Sequence, residues 1–154
     1  MESYKLEKEI WTEKDFDVMG WHDAIVWSIY GNEETYEFFM DLDYIFQWVH
    51  PVEPEKYFHF WVAPVTMVFE NAHTIDLDIT SQLGRIEVAD LHMENPRLTP
   101  NGKLIQHTYR FNCQEGEISI NATGFKMYVR KPPKYGRAQS LSFEERGGIS
   151  FDRN

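Results

Sequence analysis

Tyr36-Glu37-Phe38-Phe39-Met40-Asp41-Leu42-Asp43-Tyr44-Ile45-Phe46-Gln47-Trp48 carries a large apolar side chain at every even position. Glu37, Asp41, Asp43 and Gln47 stand among the odd ones. A period of two over this length predicts a long extended strand with a dry face and a largely wet one. A curved antiparallel sheet is then the natural centre of the protein, with the even side chains as its filling.

The flanking sequence extends the same pattern. Ile25 to Tyr30 reads as a first strand, and Gly31-Asn32-Glu33-Glu34 as the turn that joins it to the long one, with Gly31 and Asn32 taking positive φ. His50-Pro51-Val52-Glu53-Pro54 ends the long strand. Tyr57 to Ala63 is a further aromatic strand that Pro64 is expected to break before Val65, Met67 and Phe69. Ile75, Leu77 and Ile79 alternate with Asp76, Asp78 and Thr80 as a half-buried strand, and Ile86 to Asp90 continue the meander. Asn95 to Gly102 reads as a loop. Ile105–Phe111 and Glu117–Ala122 then flank a turn at Gln114-Glu115-Gly116, and Gly124 marks a bend before Phe125, Met127 and Val129.

Thr12 with Asp15, and Ser142 with Glu145, have the spacing of capping boxes for two short helical turns, the second closed by Gly147-Gly148. Short strands with turn signals about every ten residues predict a mainly β, antiparallel sandwich or open barrel. The 154 residues read as a single domain, 1–154, whose segment 131–154 is a partly irregular tail packing on the sheet.

Composition narrows the function. Net charge is -10, but unevenly spread: residues 1–125 hold 8 basic and 22 acidic side chains, residues 126–154 hold 7 and 3. The acidic body repels phosphate backbones and attracts a basic partner. The basic stretch Lys126, Arg130, Lys131, Lys134 and Arg137, interleaved with Tyr128 and Tyr135, suits either a nucleic acid or the acidic body of the same chain. With a single cysteine, Cys113, no signal-peptide pattern and no long apolar run, the expected location is the cytoplasm.

Three constellations invite a role. Glu37, Asp41 and Asp43 line one strand face, and Asp76 and Asp78 line another. Such stripes are solvated surface, a contact for a partner rich in Lys and Arg, or, if the strands are neighbours, a hard-cation site. Trp21-His22-Asp23 places an imidazole beside a carboxylate just before the first strand. Consecutive strand residues face opposite ways, so the two form a dyad only if the backbone turns there. Otherwise Asp23 takes up turn donors, His22 bonds locally and Trp21 packs. Phe46, Trp48, Tyr57 and Trp61, with Phe58 and Phe60, are either core or the lining of a cavity for an apolar ligand. The six histidines lack metal-ligand spacing, no cofactor fingerprint is present, and Cys113 has no activating neighbour beyond Arg110.

Trp21-His22-Asp23-Ala24 with its following strand, turn and Asp41-Leu42-Asp43, together with Val65-Thr66-Met67-Val68-Phe69-Glu70-Asn71 leading into Ile75-Asp76-Leu77-Asp78-Ile79, resembles a group of small bacterial proteins. That group includes domains of unassigned role and predicted immunity proteins of polymorphic toxin systems, in which a His-Asp-Ala string precedes the first strand. The resemblance spans residues 19–90 and brings no catalytic residue with it. It implies a cytoplasmic protein that blocks a toxin by binding. The expectation is therefore a non-enzymatic protein that binds a basic macromolecule through Glu37, Asp41, Asp43, Asp76 and Asp78. A barrel carrying a small apolar ligand, and an enzyme pairing His22 with a carboxylate of another strand, are the alternatives.

Overall fold

The computed structural model describes residues 3–154. Ten strands build one open antiparallel sheet: β1 Ile10–Thr12, β2 Ile25–Asn32, β3 Glu37–Val49, β4 His59–Glu70, β5 His73–Ile79, β6 Ile86–Leu98, β7 Ile105–Cys113, β8 Gly116–Ala122, β9 Gly124–Val129 and β10 Lys134–Gly136. The strand order is β1-β9-β4-β3-β2-β6-β7-β8-β5, with β10 paired to β4. A 3-10 helix, Glu13–Val18, and one turn of α-helix, α1 at Phe143–Arg146, complete it. Both carry the capping boxes that their sequences announce, and Gly147 closes α1 in the left-handed region.

The pairing between β2 and β6 is brief, Ile25 to Glu87 and Val26 to Ile86. It divides the sheet into two halves, and the halves fold onto a common interior. Phe38, Met40, Leu42 and Tyr44 of β3 join Met67 and Phe69 of β4, Tyr109 and Phe111 of β7, and Phe125 of β9 in one buried cluster. Phe69 meets Tyr109, Phe111 and Phe125 in tilted and edge-on contacts at ring separations of 5.3–6.0 Å, so the aromatic core bridges the halves.

Several expectations change in the structure. Pro64 does not break its strand: β4 runs from His59 to Glu70. The Pro64 carbonyl accepts from Arg130 N, so its missing donor faces the interval after β9 ends and before β10 begins. Pro96 likewise lies inside β6, at a bulge where Asn95 has φ 55°. Gly31 and Asn32 belong to β2, and the positive φ of that hairpin falls on Tyr36. β5 is not half-buried; it ends the sheet, with every residue but Ile79 exposed. At its paired end, a Cβ on Gly116 (φ 147°) would collide with the Asp78 carbonyl, so only glycine permits that approach.

Candidate functional site

Directly paired residues point to the same side of a sheet, so the register fixes the outer face of β5–β8–β7–β6. One row reads Asp78, Glu117, Asn112, Asp90, and the next reads Asp76, Ser119, Arg110, His92. Glu94 and Thr108 continue the face. It holds five carboxylates against two guanidiniums. Arg97 caps one end through the Thr108 hydroxyl, and Arg110 sits between Glu94 at 3.0 Å and Glu117 at 3.6 Å. The Glu94 carboxyl is held below its ordinary range, chiefly by the hydrogen bond from Arg110. Asp76 and Asp78 are exposed, and no cation pairs with either among the described residues. The result is a negatively charged surface with its core side sealed by Ile118, Ile120 and Phe111.

Asp41 and Asp43 are elsewhere, and they are not surface. Both are fully buried on the outer side of β3. Glu37 is largely covered and binds Arg153 at 2.8 Å. The expected contact surface of Glu37, Asp41, Asp43, Asp76 and Asp78 is therefore corrected: only Asp76 and Asp78 stand free. β3 and β5 are not neighbours, so the four aspartates do not converge on a cation.

The reason lies in the tail. Residues after β10 cross the outer face of β2–β3–β4, where Leu141 packs with Ile45, Phe60 and Val62, and Phe151 lies against Tyr30 and Phe39. Arg146 enters beneath this cover, itself 1% exposed. Its Nε donates to Asp43, and its two terminal nitrogens donate to both oxygens of Asp41 and to the carbonyls of Leu42 and Gly148. All five guanidinium donors are used. Arg130 adds a bond to Asp41 at 2.9 Å, the backbone N–H of Ser150 another, and Leu141 N and Trp27 Nε1 donate to Asp43. Burial pulls the Arg146 pKa down, but the hydrogen bonds and charges of Asp41 and Asp43 more than reverse this and raise it. Two carboxylates and two guanidiniums balance in charge, which is what allows such groups in a dry site. Of the basic stretch, Arg130 turns inward to Asp41, while Lys126 pairs with Glu70 at the surface.

At Trp21-His22-Asp23 the backbone does turn, with Asp23 at φ 68°. Trp21 packs edge-on against Tyr44, Phe111 and Phe125. His22 Nδ1 donates to the Ala89 carbonyl at 3.2 Å, and Nε2 lies 3.5 Å from the Asp23 carboxylate. Among the described residues no carboxylate of another strand is hydrogen-bonded to His22. Burial, then the neighbouring Asp23 carboxylate, push Glu87 of β6 above the usual carboxylate range. Gln139 from the tail donates to the other Asp23 oxygen. The cluster therefore ties β2, β6 and the tail together.

The aromatic group separates as well. Phe46 and Trp48 line a half-open cleft of about 460 Å³ at one end of the rolled sheet, together with Tyr4, Trp11 and Tyr44. Tyr57, 77% exposed, and Trp61 are not part of it. Inside the roll the buried side chains of both halves pack into one cluster. No group of three or more His, Cys, Asp or Glu among the described residues is placed to hold a metal. No helix of those residues is long and apolar enough to cross a membrane. Cys113 is pushed up to about 11 by burial, with Glu115 and Glu117 adding to it. Its carbamidomethylation by iodoacetamide at pH 8 should run roughly a hundredfold slower than that of an unperturbed thiol, because the thiolate is the nucleophile. A rate equal to that of a free cysteine peptide would contradict this environment.

Comparison with protein-family models, with curated proteins and with solved structures finds no match to the chain. Arg146 and Gln139 are the residues that sequence reading missed, whereas Arg130 belongs to the basic stretch read as suiting the acidic body of the same chain. The available signal was the reversal of charge after residue 125, which places guanidiniums opposite an acidic body.

Proposed function

We propose that this is a non-catalytic binding protein that recognises a basic macromolecule through the outer face of β5–β8–β7–β6. The observation carrying the reading is the excess of carboxylates there, with Asp76 and Asp78 exposed at the rim of the sheet. An open charged face steers encounter and sets partner choice, since like-charged partners are repelled and oppositely charged ones concentrated. The net charge of -10 reinforces that field. The resemblance of residues 19–90 to predicted immunity proteins supplies the partner class: a basic toxin, such as a nuclease, acting in the same bacterial cytoplasm.

The test is association kinetics with the product of an adjoining toxin gene or, where none adjoins, with the main protein captured by the immobilised chain. Asp76→Lys combined with Asp78→Lys should slow association about tenfold or more at low salt. The wild-type rate should fall as salt rises. An unchanged association rate, or a partner that is itself acidic, would overturn the proposal.

A further inference from the structure

Tyr44 on the inner face of β3 is buried, Phe46 at the β3 bulge is half-buried, and Trp48 beyond the bulge, paired with Phe60, is 37% exposed. There the aromatic column of the core emerges into the cleft of about 460 Å³, a volume typical of small-molecule sites. The N-terminal segment supplies the facing wall. Tyr4 and Trp11 stand 5.9 and 6.2 Å from Phe46, and Tyr44 meets Phe46 edge-on at 4.8 Å. Five rings thus surround one space, each held by a ring neighbour.

Glu7 stands at the rim of this cleft, His22 lines it with its ring stacked on Trp48 at 6.0 Å, and no Lys or Arg lines it among the described residues. Aromatic faces carry negative potential, so rings and carboxylate together favour a positive guest with an apolar surface. A neutral apolar guest would leave Glu7 unanswered, and an anion would meet repulsion from the carboxylate and from the chain's overall charge. Trp11 already receives a cation, with the Lys8 ammonium 5.0 Å from its ring centroid. We propose that this cleft is a binding site for a small organic ammonium ion, held by cation–π contact with Trp48, Phe46 and Trp11 and by the charge of Glu7. The site is independent of the acidic face of β5–β8–β7–β6, because it draws on β3 and the N-terminal segment.

The experiment titrates the protein with choline and, separately, with 3,3-dimethylbutan-1-ol, which has the same shape without the charge. The readout is the indole N–H resonances of Trp11 and Trp48. Choline should shift both saturably, and the neutral isostere should bind about tenfold more weakly or not at all, the ratio expected of a cation–π contact worth somewhat over 1 kcal/mol. Glu7→Gln, a change at an exposed position that leaves the fold intact, should weaken choline binding severalfold at low salt. Tyr57→Ala and the Asp76→Lys, Asp78→Lys pair should not alter it, which separates this site from the partner-binding face. Equal binding of the two probes would show an apolar pocket and overturn the proposal. So would the absence of any saturable shift, or an unchanged affinity in Glu7→Gln.

Discussion

Arg146→Ala should cost about 3–5 kcal/mol of folding stability, the range found when one partner of a buried ion pair is removed. The substitution leaves Asp41 and Asp43 fully buried with one guanidinium, Arg130, which bonds Asp41 and the Thr66 hydroxyl but not Asp43. Backbone and indole donors from Ser150, Leu141 and Trp27 remain, but they carry no full charge to offset the second carboxylate. The chain has one way to relieve this. The tail can lift from β2–β3–β4 and admit water, which forfeits the packing of Leu141 and Phe151 and the stacking of Arg146 over Trp27 at 4.6 Å. Loss of amide protection in residues 140–152 should therefore accompany the drop in urea midpoint. Arg146→Lys should recover only part of the loss, since a point charge with three donors replaces a fork with five. A change below about 1 kcal/mol for Arg146→Ala would mean that the cluster is solvated, contrary to the geometry.

Phe69→Ala should be comparably damaging, about 3–5 kcal/mol, as for other buried Phe truncations. Its ring touches Tyr109 and Phe111 of one half of the sheet and Phe125 of the other, across the seam where the β2–β6 pairing is short. The vacancy falls on the seam, so the two halves lose contact area together. Phe69→Leu should cost clearly less, because most of the volume is retained. Urea unfolding followed by tryptophan fluorescence checks both. Equal losses for Leu and Ala would place the energy in the ring's stacking geometry and not in filling the seam.

The fold was legible where local chemistry decides it. The even positions of 38–46 are core, the hairpins fall near their turn residues, and both capping boxes form as spaced. Pro64 and Pro96 misled because a proline's effect on a strand depends on which neighbour its nitrogen faces, and that is a property of the assembled sheet. Asp41 and Asp43 misled for a deeper reason. Alternation shows which side of a strand a residue occupies, but not what lies over that side. Nothing near residue 41 announces that residues more than a hundred positions later will cover it. Asp76 and Asp78 have the same local pattern and no such cover, because β5 ends the sheet. The candidate site was thus half visible: the right kind of residue, with the two strands indistinguishable until the tail is placed.

That division of the aspartates into a structural pair and a recognition pair is tested most directly by comparing two charge reversals in one thermal unfolding series. Asp76→Lys with Asp78→Lys should melt within a few degrees of wild type, as exposed substitutions do. Asp41→Lys with Asp43→Lys should yield no cooperative transition, because four cations would then meet in a dry site. A cooperative transition near the wild-type temperature for the Asp41, Asp43 pair, or a collapse for the Asp76, Asp78 pair, would contradict the account.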